Sequence, residues 1–343
     1  MKRLLNTLFV TTDGTYLARK GKTVLVRHNK ETKLQVPIHT LNNIVCLGRV
    51  HISPALIGLC SENKTPIAIL NRYGRFLGRI IGPTSGNVLL RKKHFRFAED
   101  ENLSAPIARA CVIAKIANTR TVLSRTIRDH SSAAGTAQIE YVIGILASLL
   151  EELKLPKQIY QIRAIEAQAA RAYFSVFNHL IIAQKQDFVF HERSRRPPLD
   201  RVNAILSFLY TVLANDIACA LESVGLDSSI GFFHKDRPGR ASLALDIMEE
   251  FRPMLADRIA LSLINRQQIK ANNFTITETG AVRMDDKAKK TLLVTYQKRK
   301  QEEIKHPFLD EIVQIGILPF VQALLLARHI RGDLDGYPAF LWK

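Results

Sequence analysis

The segment LDRVNAILSFLYTVLANDIACALESVG, residues 199–225, constrains the fold of this chain more than any other stretch. Its apolar residues cover nearly every side of the helix that it predicts. Pro197 and Pro198 precede it, and Gly225 stands at its C-terminal side. A helix with no polar face has nothing to offer solvent, so other elements must surround it. The helical periodicity supplies them over 105–129, over 136–156 with a stop at Pro156, and over 157–181. FTITETGAVRM, 274–284, reads as a small hairpin inserted among these helices.

The first ninety residues follow a different pattern. TYLARKGKTVLVRH alternates apolar and polar residues on both sides of Lys20-Gly21-Lys22, and TPIAILNRYGRFLGRII does so around Tyr73-Gly74. Both are hairpin signals. SPALIGLCSEN predicts a short helix with Ser53 as its N-cap and Pro54 at its first position. IIGPTSGN, 80–87, is the strongest breaker cluster, and helical spacing takes over at Val88. The expected fold class is α+β. A small N-terminal β-sheet domain spans 1–87, and a larger all-α-helical catalytic domain spans 88–343. A chain of 343 residues suits two such cores.

Lys and Arg number 49 against 31 Asp and Glu, a formal charge of +18. On a chain that is 47% hydrophobic, and so able to fold, this points to a polyanionic partner. Nucleic acid comes first and an anionic membrane surface second. Only 7% of residues are aromatic, which argues against a base-stacking sheet. The basic residues cluster. Arg193, Arg195, Arg196 and Arg201 lie in RSRRPPLDR, and Arg72, Arg75 and Arg79 in RYGRFLGR. KAKKTLLVTYQKRK carries Lys287, Lys289, Lys290, Lys298, Arg299 and Lys300. Three such groups favour phosphate tracking. Cys46, Cys60, Cys111 and Cys219 form no CxxC pair and read as buried apolar residues of a reducing compartment. The apolar run near the N-terminus is broken by Asn6 and Thr7, so it reads as a first strand. A cytoplasmic protein without a membrane span is expected. No Walker A, GxGxxG, HExxH or GxSxG pattern is present.

Against this basic background a few acids and one imidazole stand out. Glu166 lies among Ile162, Ile165, Ala169 and Ala170 on its predicted helix. A carboxylate there needs a partner or a metal, and Arg163 and Arg171 are the nearest cations in sequence. His234 precedes the basic turn KDRPGR. Ser242 then offers an N-cap to a helix whose early turns hold Asp246, Glu249 and Glu250 on roughly one face. Such acids also favour a helix N-terminus, and Arg240, Arg252 and Arg258 are available to pair with them. Imidazole and carboxylates from separate helices form a hard donor set suited to Mg²⁺ or Mn²⁺. An acidic island of this kind in a basic protein is what metal-assisted phosphodiester chemistry requires.

IRAIEAQAARAYF, RSRRPPLDRVNAILSFLYTVL and GLDSSIGFFHKDRPGRASLALDIMEEFRP, in that order, resemble the core blocks of the CRISPR-associated spacer integrases, the family of the first Cas protein. The resemblance runs over the whole chain. The ending RGDLDGYPAFLWK is similar to the branch found with type I-C systems. The resemblance implies that Glu166, His234 and Glu249 are the catalytic metal ligands. Many members have Asp at the position of Glu249, and Glu keeps the donor. Asp246 matches an acidic position that supports the site or occasionally ligates. Tyr173, Asn203, Arg193, Arg195 and Arg196 match positions that line the DNA path. Lys235 and Arg240, in the basic turn after His234, are counted with them.

The implied reaction is phosphodiester transesterification. A 3′-hydroxyl of a captured DNA fragment attacks a phosphodiester at the border of a CRISPR repeat. Hydrolysis and the reverse reaction are its by-activities. The resemblance also implies homodimers formed through the N-terminal β-domains, two of them flanking a dimer of the small second Cas protein. Two other readings stand beside it: a stand-alone metal nuclease of DNA repair that uses the same three ligands, and a non-catalytic DNA-binding scaffold in which Glu166, His234 and Glu249 are ordinary helix residues.

Overall fold

In a computed structural model the chain is described over residues 6–71, 76–83, 88–129 and 135–342. The N-terminal region contains two four-stranded sheets. One is built from β1 (Asn6–Val10), β5 (Leu41–Leu47), β7 (Ile67–Leu70) and β8 (Phe76–Ile80), in the order β1-β5-β7-β8. The first three of these strands are parallel and β8 is antiparallel to β7. The other is built from β2 (Thr15–Lys20), β3 (Thr23–His28), β4 (Glu31–Pro37) and β6 (Val50–Ile52), in the order β4-β3-β2-β6. The expected hairpin at Lys20-Gly21-Lys22 joins β2 to β3, and Gly21 takes the positive φ of 59° that such a turn requires. The Tyr73-Gly74 turn lies outside the described residues, but its flanks β7 and β8 pair as expected. Helix α1 (Pro54–Glu62) starts as predicted, with the Ser53 hydroxyl accepting the Leu56 amide at 3.3 Å.

Side chains alternate across a strand, and the first sheet uses both of its faces. Ile44, Cys46 and Ile67 point into a small core with Leu17, Val24, Leu56 and Leu59. Val45, Leu47, Ala68 and Leu70 on the opposite face join the large helical core. The two regions are therefore packed together through this sheet. Arg79 strengthens the junction. Its guanidinium reaches Glu222 at 2.8 Å and Asn215 at 3.1 Å, both on α6 (Arg201–Ser223). The expected boundary cluster, 80–87, includes residues 84–87, which lie outside the described set.

Beyond it come α2 (Val88–Glu99), α3 (Glu101–Asp129), α4 (Thr136–Glu152), α5 (Ile159–Ser175) and then α6. Helix α6 is capped by Asp200, whose carboxylate accepts the Asn203 amide at 2.7 Å. It is long and apolar enough to cross a membrane, yet 78% of that stretch is buried inside the protein, as a central core helix requires. Helices α7 (Ser242–Phe251) and α8 (Arg258–Asn265) flank one π-helical turn, Arg252–Asp257. The hairpin β9 (Phe274–Ile276) and β10 (Val282–Met284) forms where FTITETGAVRM predicts it. Helix α9 (Asp286–Gln301), strands β11 (Glu303–Lys305) and β12 (Ile312–Gln314), and helix α10 (Leu318–Arg331) complete the domain. Helix α6 packs on α7 and α10, while α3 packs on α4, α5 and α7. That arrangement sets α3 beside the two helices that carry Glu166 and Glu249. All four cysteines are buried, and burial pushes the Cys46, Cys60 and Cys219 thiols up to about 12, 11 and 12.

Candidate active site

Glu166 projects from α5 and Glu249 from α7 toward one side chain on α3, Lys115. The Lys115 ammonium pairs with Glu166 Oε1 and lies 2.7 Å from Glu249 Oε2. Neither Arg163 nor Arg171, the partners suggested by sequence, takes that role. Arg163, one turn before Glu166, instead donates from Nη2 and Nε to the Phe233 carbonyl, at 2.6 and 3.2 Å. Helix α5 thus carries one carboxylate and also grips the loop that presents His234.

Glu249 is almost fully enclosed, with its side chain 4% exposed. The Arg252 guanidinium, one turn onward, donates to both of its oxygens at 2.8 and 3.0 Å. Burial alone would raise the Glu249 carboxyl. Arg252 first, then Lys115 and His234, overcome it and hold the group down to about 2. These cations favour the ionised form of Glu249.

Asp246 faces the other way, toward the loop 231–234. Its Oδ2 accepts the amides of Phe232 and Phe233 at 2.7 and 2.9 Å. Its Oδ1 accepts the His234 amide at 2.9 Å and pairs with His234 Nδ1 at 2.7 Å. Four contacts leave this fully buried carboxylate little capacity for a cation. Asp246 fixes the ring instead: Nδ1–H donates to the carboxylate, which leaves the Nε2 lone pair of the neutral imidazole available as a ligand. The side chain of Ser242 does not cap α7 as expected. Its hydroxyl bonds the Lys235 carbonyl at 3.1 Å, and the Ser228 carbonyl accepts the first helix amides, Leu243 and Ala244. Glu250 leaves the group altogether. It binds Tyr337, Gln322 and the Phe340 amide in the C-terminal segment, because successive helical residues point about 100° apart.

Among the described residues no three His, Cys, Asp or Glu side chains stand at metal-binding spacing. The Lys115 ammonium lies where a cation shared by Glu166 and Glu249 would stand. Those two carboxylates already converge on one positive charge, and with His234 Nε2 they are a donor set of the right chemistry for a hard divalent ion.

The profile of the family described as CRISPR associated protein Cas1 matches residues 8–298. The chain belongs to the Cas1 family. A relative from Chlorobaculum tepidum, named CRISPR-associated endonuclease Cas1 1, is 51% identical over 343 residues, the whole of both chains. Two solved structures share the fold at lower identity. A chain of a Cas6-RT-Cas1–Cas2 complex superposes with a TM-score of 0.83 at 23% identity, over all of this chain and 36% of that one. A casposase bound to its integration product gives 0.81 at 19%, over 100% of this chain and 95% of that one.

This Cas1 family member is an enzyme, and its basic residues divide sharply by exposure. Arg195, Arg196, Lys235, Lys287, Lys290 and Lys298 are exposed, and Arg240 is partly so. Lys289 and Lys300, expected on a basic face that tracks phosphates, are buried against Asp286 and Asp216 at 2.8 and 2.7 Å. Arg193 is half-buried and bonds Asn203, Ser207 and the Ser194 carbonyl. Asn203 is fully buried and ties the same loop to α6 through the Glu192 carbonyl at 2.8 Å. Tyr173 is buried with its hydroxyl on Asp257 at 3.1 Å. Tyr173 and Asn203 therefore offer almost no surface to a DNA strand. Arg72 and Arg75 lie outside the described residues.

Lys115 does not stand out in the sequence reading, and Arg163 appears there as a partner for Glu166 rather than as the residue that holds the Phe233 carbonyl. The available signal for Lys115 was a lone cation inside the apolar run CVIAKIA on α3. A small residue is also required at Gly231. A Cβ there would meet the His234 carbonyl and Ser242 Cβ at 2.8 Å and Asp246 Oδ2 at 3.0 Å. Gly231→Ala is expected to cost about 1–3 kcal/mol by overpacking. It should lower activity more than stability, because it pushes on the carboxylate that orients His234. Thermal melts run beside a DNA-joining assay check this.

Proposed function

We propose that this protein is the metal-dependent DNA integrase and endonuclease of CRISPR adaptation. It inserts captured DNA fragments into the repeat array by attack of their 3′-hydroxyls on repeat-border phosphodiesters. Glu166 and Glu249, drawn from α5 and α7 onto one cationic position, are the observation that carries this reading. Family membership and the names of its relatives support it.

Glu166, Glu249 and His234 Nε2 are the groups that would hold the ion. When bound, Mg²⁺ or Mn²⁺ would supply charge stabilisation at the phosphate and an acidified hydroxyl. The protein's own contribution is orientation. Asp246 holds the imidazole by its Nδ1 side, Arg163 fixes the loop around it, and Arg252 keeps Glu249 ionised. Arg195, Arg196, Lys235 and Arg240 form the rim that would hold the DNA backbone, where phosphate contacts set register without reading sequence.

The N-terminal region 1–87 would form the homodimer, and the small second Cas protein would join two such dimers. The C-terminal segment RGDLDGYPAFLWK supports assignment to a type I-C-like system, and cytoplasmic location follows from the DNA substrate. The division at 87/88 separates assembly from catalysis.

The test is strand transfer of a short duplex with free 3′-hydroxyls into a supercoiled plasmid bearing a repeat, with the small Cas partner and Mn²⁺ or Mg²⁺. Wild type is expected to join the DNA. Glu166→Ala and His234→Ala should lose at least about a hundredfold while remaining folded. Joining by these variants at the wild-type rate would refute the site. Cleavage without joining by wild type would favour a nuclease of DNA repair.

A further inference from the structure

Lys115 is the least expected member of the site. Its side chain, 11% exposed, emerges from α3 with apolar neighbours Cys111, Val112 and Ile116. An ammonium buried so deeply needs counter-charge, and Glu166 and Glu249 provide it. With Arg252 on the far side of Glu249, the group holds two cations and two anions and is neutral. A divalent ion added to this arrangement would stand beside an ammonium in a water-poor site. The like-charge repulsion makes the two occupants mutually exclusive. Lys115 also lines a cavity of about 10 Å³, close to the smallest that holds one water. Tyr173, Tyr210, Arg252 and Asp257 form part of its wall, and the Asp257 carboxylate accepts Tyr210 and Tyr173 at 2.5 and 3.1 Å with lone pairs to spare.

We propose that Lys115 is an internal counter-ion of the site, holding Glu166 and Glu249 together in the metal-free protein and yielding its place to the divalent ion. This rests on the reading of those carboxylates as cation ligands. Lys115 then sets metal affinity as a positioning residue and keeps the metal-free protein folded. The flexible four-carbon stem of lysine permits such a withdrawal, whereas a guanidinium would grip both carboxylates with a planar fork.

Calorimetric titration of Mn²⁺ into the full-length protein, with melting of the metal-free form, tests this. Lys115→Met keeps the volume and removes the charge. It should melt lower without metal and bind Mn²⁺ roughly tenfold tighter, since an ammonium that is displaced in only a tenth of molecules weakens apparent affinity by that factor. Mn²⁺ should also raise its melting temperature more than that of wild type. Lys115→Arg should bind Mn²⁺ more weakly than wild type, and it decides the matter if Lys115→Met does not fold. Equal or weaker Mn²⁺ binding by a folded Lys115→Met, or equal or tighter binding by Lys115→Arg, overturns the proposal. Glu166→Gln separates the two ideas. If it weakens Mn²⁺ binding while the Lys115 variants behave as wild type, the site stands and the counter-ion role falls. If Glu166→Gln leaves Mn²⁺ binding unchanged, both fall.

Discussion

Glu249→Ala should unfold at markedly lower temperature than wild type, in the absence of any metal or DNA, with a loss of about 3–5 kcal/mol. The carboxylate is buried and answers two buried cations, Arg252 and Lys115. Removing it leaves the Arg252 guanidinium, 7% exposed, without its ion-pair partner. Glu166→Ala should cost far less, because its side chain is 21% exposed and Lys115 keeps Glu249. The acid limb of stability carries the same information. The Glu249 carboxyl sits near 2 in the folded protein, against an ordinary value of 4.5. A group held lower in the folded chain stabilises it above the unfolded value and stops doing so as pH falls through the folded one. Glu249 should therefore contribute on the order of 3 kcal/mol at neutral pH, lost between about pH 4.5 and 2. Glu250 has the opposite sign in the neighbouring window. Burial pushes it up to about 7, so its share is present below 4.5 and fades as pH rises through 7. Glu249→Gln should flatten only the lower window, and chemical denaturation at a series of pH values would display this.

Asp246→Ala should be nearly as damaging and should also abolish DNA joining. Three backbone amides, of Phe232, Phe233 and His234, donate to this carboxylate inside the protein. Each buried donor left without an acceptor costs about 1–3 kcal/mol, so a total of at least about 3 kcal/mol is expected. The imidazole loses its orienting contact at the same time. Asp246→Asn is the informative partner. An amide keeps one carbonyl acceptor but turns an NH₂ toward donors, so part of the stability should return while His234 stays misdirected. Urea denaturation and DNA joining, measured together on both variants, separate the two effects. Recovery of joining by Asp246→Asn to the wild-type rate would mean that ring orientation by Asp246 is unimportant.

Much of this arrangement is legible in the sequence. The apolar circumference of 199–225 identifies the buried helix α6, and Pro197 and Pro198 mark its approach, whereas the cap, Asp200, emerges only in the structure. Ser53 and Pro54 marked α1, and alternation marked β2 and β3. Local chemistry decides those features, so local sequence reports them. The rest depends on which elements meet. Ser242 has the side chain of an N-cap, but the Ser228 carbonyl reached the free amides first. Glu250 lies beside Glu249 in sequence and serves a different task, because the segment Tyr337–Trp342 returns to α3 and α7 and needs an acceptor there. Lys115 lies 51 residues from Glu166 and 134 from Glu249, and helical spacing alone does not bring it to either. Of the basic residues, composition revealed the charge but not that Arg79, Lys289 and Lys300 bind the fold's own acids.

Glu166, His234 and Glu249 are proposed to share one divalent ion. Anomalous diffraction from crystals of the full-length protein grown with Mn²⁺ tests it most directly. The predicted result is a peak within about 2.5 Å of a Glu166 oxygen, a Glu249 oxygen and His234 Nε2, with the Lys115 ammonium withdrawn from between the carboxylates. A Lys115 ammonium still bridging Glu166 and Glu249, with the Mn²⁺ peak elsewhere, would mean that these three residues do not hold the ion.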